Sequence, residues 1–91
     1  MNSVFFNGED FKTKEIFHEI IKDKLNLPSY YGNNLDALND CLLELSPLPL
    51  KVVWNNYSKS KEYLGNYCDI ALKVFETASE FLDNKLILEI N

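Results

Sequence analysis

Apolar positions along the chain fall into runs with two distinct periods. Val4-Phe5-Phe6 is a short β-favouring run closed by the turn dipeptide Asn7-Gly8. From Thr13 the period lengthens: Ile16, Phe17, Ile20, Ile21 and Leu25 recur at helical spacing, and Pro28 closes the segment. His18 falls off that apolar face and is expected at the surface. A turn-rich loop, Ser29-Tyr30-Tyr31-Gly32-Asn33-Asn34, leads to a second helix. Its stripe is Leu35, Leu38, Leu42 and Leu45, with Asn34 suited to cap it. Ser46-Pro47-Leu48-Pro49 stops this helix, because proline cannot continue it.

Leu50-Lys51-Val52-Val53-Trp54 reads as a second strand. Asn55-Asn56 opens a third helix to about Leu64, broken at Gly65. A fourth helix carries Ala71, Leu72, Phe75, Ala78 and Leu82, and Lys85 to Ile90 forms a closing strand. The order is β-α-α-β-α-α-β. With helices between every pair of strands, a three-stranded parallel sheet packed with helices is predicted, since parallel neighbours need crossover connections. Residues 1–91 are expected to form a single α/β domain, with room for one modest core.

Placed on a wheel, the second helix turns Leu38, Cys41, Leu42 and Leu45 toward the core. Asp36, Asp40, Leu43 and Glu44 point outward, with Asn39 near the edge. Three carboxylates therefore share one face. Asp36 and Asp40 stand at i,i+4, where like charges repel by roughly a few tenths of a kcal/mol. Asp36 is eased by the positive end of the helix dipole, and Asp40 gains less. Folding alone gives no reason for the arrangement, although many charged faces are simply solvated. The adjoining Tyr30 and Tyr31 are amphipathic residues of the kind that anchor interfaces, one of them expected in the core.

Fourteen acidic against nine basic residues give a formal charge of -5, which disfavours direct binding to nucleic acid and favours basic protein surfaces. Such acidity also serves solubility. No apolar run approaches the ~20 residues of a membrane span, and the N-terminus has no signal-peptide pattern, so a cytoplasmic location is expected. Cys41 and Cys68 form no C-x-x-C pair; two reduced structural thiols are expected, with no metal and no cofactor.

The run Leu27-Pro28-Ser29-Tyr30-Tyr31-Gly32-Asn33-Asn34-Leu35-Asp36-Ala37-Leu38-Asn39-Asp40-Cys41-Leu42 resembles the signature of the barstar family, intracellular inhibitors of barnase-type ribonucleases. The resemblance extends through Asn7-Gly8-Glu9, Pro49-Leu50, Trp54 and Val74-Phe75, essentially the whole chain. It implies that the second helix and preceding loop enter a basic ribonuclease cleft. Asp40 matches the carboxylate that replaces an RNA phosphate, Asp36 a second acid at the rim, and Tyr30 the aromatic residue that packs on the enzyme's histidine. Gly32 and Asn34 match loop contacts. It also implies a cis peptide bond at Leu48-Pro49.

Three positions depart from the family pattern. Asn39 and Leu45 each stand where the family has a tryptophan. Thr77 aligns with a partner-binding glutamate, and Glu76 and Glu80 lie close by in sequence. With Leu43 and Glu44, these complete the candidate partner-binding set. The implied protein is an acidic inhibitor, monomeric when free, whose partner is a basic ribonuclease. The alternative is a barstar-fold protein-interaction or regulatory or immunity module for a different toxin or partner. Catalysis by the paired carboxylates, as in glycoside hydrolases, needs a substrate cleft that one helix face does not offer.

Overall fold

The computed structural model describes residues 2–91. Strand β1 (Asn2–Asn7) runs into a single 3-10 turn (Gly8–Asp10), followed by α1 (Lys14–Lys24) and α2 (Leu35–Leu43). Strand β2 (Leu50–Asn55) precedes α3 (Tyr57–Leu64) and α4 (Asn66–Phe81), and β3 (Leu86–Ile90) closes the sheet. The sheet is three-stranded, in the order β1-β2-β3, with both pairings parallel. This is the architecture expected from the alternation of periods.

The register sets Val4 beside Val52 and Leu88, and Phe6 beside Trp54. Because side chains alternate across a strand, these positions share one face and join the core cluster with Phe17, Leu38, Leu42, Phe75 and Leu86. Phe5 points to the opposite face and is exposed, so the helices cover one side of the sheet. Phe6, Phe11, Phe17, Trp54 and Phe75 meet edge-to-face at the centre, with Phe11 a core residue outside the predicted helical stripe. A Cβ on Gly8 would stand 2.0 Å from the Asn56 carbonyl oxygen, so only glycine lets the turn after β1 pass under the start of α3.

Helix α1 is rotated from the face its spacing predicts. Ile16 is 37% exposed, whereas His18 is 1% exposed and lies inside with Phe17 and Ile21. The apolar count could not foresee this, because the imidazole is made acceptable to the interior by two tyrosine hydroxyls. Helix α2 stops at Leu43, with Glu44 as its C-cap, so Leu45 lies just beyond the helix. The Ser46-Pro47 and Leu48-Pro49 bonds are both cis, the second as the resemblance implied. Both cysteines are free, Cys68 fully buried and Cys41 partly buried against the core, on the side of α2 that the wheel predicts. No helix among the described residues is long and apolar enough to cross a membrane.

Candidate functional site

The acidic helix begins at a well-made cap. Asn34 is extended, and its Oδ1 accepts a hydrogen bond from the Ala37 N–H at 2.8 Å. Its Nδ2 donates to the Gly32 carbonyl at 3.2 Å, so one side chain both starts α2 and closes the loop before it. A Cβ on Gly32 would lie 3.2 Å from that same amide nitrogen, tighter than an ordinary contact. Asn33 is left-handed, at φ 54, which turns the chain into the cap.

The two adjacent tyrosines have opposite fates. Tyr30 is 81% exposed, whereas Tyr31 is buried. The Tyr31 hydroxyl lies 2.6 Å from His18 Nδ1, and His18 Nε2 lies 2.6 Å from the Tyr67 hydroxyl. Burial lowers the pKa of His18 from its ordinary value, with Glu15 opposing the shift. Near neutral pH the ring is therefore uncharged: one hydroxyl donates to its bare nitrogen and the other accepts from its N–H. Burial also raises the Tyr31 pKa, with further contributions from nearby Cys41 and Tyr67, so its hydroxyl stays protonated.

Along α2, Asp36, Asp40 and Glu44 are all exposed. The ion pairs among the described residues are Lys51–Glu89, Lys59–Glu62 and Lys61–Asp69, so none of the three helix acids has a cationic partner. Asp36 occupies the first turn, where the dipole favours it, but Glu44 caps the negative end and no basic residue occupies the last turn. The acids reach Cys41: burial raises its thiol pKa first, then Glu44 and Asp40 raise it further. The thiol is thereby held protonated and poorly nucleophilic.

Two shallow grooves flank the helix. One, about 310 Å³, runs between α2 and α4 and brings Asp36 and Asn39 together with Thr77, beside Lys73 and Ile70. The other, about 320 Å³, lies between the loop and the end of α2, where Tyr30 meets Cys41, Glu44 and Leu45. The first groove thus joins Asp36, Asn39 and Thr77, the second joins Tyr30 and Glu44, and Asn34 holds Gly32; Asp40 is exposed on the same helix but lines neither groove. Leu43, expected outward among the acids, is partly buried against the core instead. Glu76 and Glu80 line a separate groove with Ser79 and β3 residues, so α4 turns them away from Thr77.

Sequence reasoning missed three members of this surface and its support: Lys73, Tyr67 and His18. Lys73 sits four residues before Thr77, a spacing that puts both on one helix face and could have found it. No spacing signals that His18 and Tyr67 meet. Among the described residues, no cluster of three or more potential metal ligands exists.

Residues 1–89 match the family model described as Barstar (barnase inhibitor). The chain belongs to the barstar family. It is also 44% identical over 91 residues to a Bacillus subtilis (strain 168) protein named "Putative ribonuclease inhibitor YrdF", covering 98% of this chain and all of that relative.

Proposed function

We propose that this barstar-family protein inhibits a basic, barnase-like ribonuclease by laying α2 and the loop before it into the enzyme's active-site cleft. The observation that carries this reading is the row of exposed, unpaired carboxylates at Asp36, Asp40 and Glu44, bounded by the exposed ring of Tyr30. A carboxylate surrounded by arginine, lysine and histidine makes charge-assisted hydrogen bonds, which are among the stronger polar contacts. Asp40, midway along the helix, takes the place of an RNA phosphate, and Asp36 and Glu44 pair with cations at the two ends of the cleft. Tyr30 packs on a ring at its edge, while Gly32 and Asn34 offer backbone and amide contacts. The net charge of -5 steers the encounter. In this role the protein is a cytoplasmic, non-catalytic monomer that protects its own cell.

A second reading concerns the partner. Lys73 stands beside Thr77, in the groove that also holds Asn39. A cation in an otherwise acidic surface favours a target bearing an acid at that rim. Titration against barnase and against a ribonuclease encoded beside this gene tests both readings. The first predicts stoichiometric inhibition, association that slows as salt rises, and severe weakening in Asp40→Ala. Undiminished binding by Asp40→Ala would refute the mechanism.

A further inference from the structure

The loop that presents Tyr30 packs into the core through the Tyr31 ring but makes few hydrogen bonds to the remainder of the chain. Within it, the Tyr31 N–H donates to the Pro28 carbonyl at 3.0 Å, and Asn34 closes onto Gly32. Two further hydrogen bonds leave residues 28–33 among those described. One is a long contact of 3.5 Å from Lys22 Nζ to the Ser29 carbonyl; the other joins the Tyr31 hydroxyl to His18. The second is buried, short and continued on the far side of the ring by Tyr67.

Tyr67 belongs to α4, an element remote in sequence from the loop. It is itself held in place: Lys14 Nζ lies 4.7 Å above its ring, and Phe17 meets it edge-on at 6.3 Å. The groups facing His18 are thus Tyr31 from the loop, Tyr67 from α4, and Phe17 and Glu15 from its own helix. A neutral imidazole has one donor and one acceptor nitrogen, so satisfying both selects a single ring orientation and directs the Tyr31 hydroxyl along one line. Tyr30 lies in the turn that the Tyr31 N–H closes on the Pro28 carbonyl, and with Tyr31 held inward its ring stands in solvent.

We propose that Tyr67 is a positioning residue for the partner-binding loop, acting through His18 and Tyr31 to keep Tyr30 presented. This rests on the inhibitor reading above for the word partner, but the relay itself is testable in the free protein. Tyr67→Phe removes the hydroxyl while retaining the ring. In that variant the Tyr31 amide, which donates to the Pro28 carbonyl, is expected to exchange with solvent roughly tenfold faster, the factor given by one buried hydrogen bond of ordinary strength. Sheet amides such as those of Phe6 and Val52 are expected to change far less. Tyr31→Phe breaks the same relay from the other end and should give the same local pattern, with the double variant showing less than the sum of the two effects. Tyr57→Phe, which removes a hydroxyl bonded to Asp69 instead, serves as control.

Binding to barnase is the second readout. Tyr67→Phe should weaken it severalfold in the parent background, and that loss should vanish when Tyr30 is already alanine. Loop exchange that stays unchanged in both Tyr67→Phe and Tyr31→Phe, or that rises equally in the sheet, overturns the positioning role. Failure of the unmodified protein to bind barnase overturns the barnase-like reading, while the exchange experiment still decides whether Tyr67 holds the loop.

Discussion

His18 Nδ1 and the Tyr31 hydroxyl stand 2.6 Å apart inside the molecule, joining α1 to the loop that carries Tyr30. Protonating this ring would leave it two N–H donors and no acceptor, so one tyrosine hydroxyl would lose its acceptor. Burial holds the folded-state pKa below the ordinary 6.5. The unfolded chain therefore takes up a proton first as pH falls, and stability declines from about pH 6.5 downward until the folded-state pKa is passed. Urea midpoints measured between pH 8 and 5 should show this decline, and His18→Gln should flatten it. The salt-bridged carboxylates act in a separate window. Lys61 holds Asp69 low and Lys51 holds Glu89 low, so their contributions fade only as pH falls below the ordinary carboxylate range.

Asp40→Ala is expected to separate binding from folding. Asp40 stands four residues from both Asp36 and Glu44, so removing it relieves two like-charge pairs of roughly 0.2–0.5 kcal/mol each, and the urea midpoint should stay level or rise slightly. Affinity for the ribonuclease should fall by about 2–5 kcal/mol, the range for truncating one member of a desolvated charge pair. The barnase–barstar complex is itself a reference case for that range, so the figure is the family's rather than one read from this geometry. Isothermal titration with barnase provides the check.

Asn34→Ala strikes both at once. It removes the cap on Ala37 and the bond to the Gly32 carbonyl, which should lower stability by about 1 kcal/mol. The first turn of α2 should fray, and inhibition should weaken even though the carboxylates remain. Amide exchange at Ala37 and Leu38 reads the fraying, and inhibition of barnase reads its consequence. Asn34→Asp should retain most of the stability, because aspartate caps equally well.

Gly8→Ala tests the crossing beneath α3. The added methyl would sit 2.0 Å from the Asn56 carbonyl oxygen, and backbone rather than a flexible side chain must move. A loss on the order of 1–3 kcal/mol is expected, as for overpacking elsewhere, with affinity for the ribonuclease unchanged once folded. Denaturation with urea measures the first and titration of folded protein the second.

The fold was legible because each element announces its period: alternating or continuous β-formers at Val4 to Phe6 and Val52 to Trp54, and helical stripes between. The site was legible in part. The wheel placed Asp36, Asp40 and Glu44 outward as observed, and Asn34 reads as a cap from its residue type alone. Tertiary satisfaction of polar groups was not legible. His18 looked like surface because its partners lie 13 and 49 residues away, and only their hydroxyls make its burial tolerable. Ile16 was displaced outward by the same rotation. Which tyrosine would be exposed depended on that contact too. Leu43 illustrates a different limit: near the end of a short helix, packing against the core overrides the wheel. Glu76, next to Thr77 in sequence, falls on another side of α4 because successive helical residues turn by about 100°, whereas Glu80 is only about 60° round but a turn further on, where it meets β3.

The acidic helix and its loop both lie within the single crossover that links β1 to β2, two strands paired in register from Asn2 with Leu50 to Asn7 with Asn55. Outward-facing positions of that crossover, from Tyr30 to Glu44, contribute nothing to the sheet's hydrogen-bond ladder. If α2 and its loop form the interface proposed above, a lineage can retarget such a protein by drift at a few codons in one contiguous stretch of gene, Asn39 among them, while the strands that hold the crossover's two ends keep their sequence. Thr77 and Lys73, which share a groove with Asp36 and Asn39 but lie on α4, would be the exception, since a change there comes from a distant part of the reading frame.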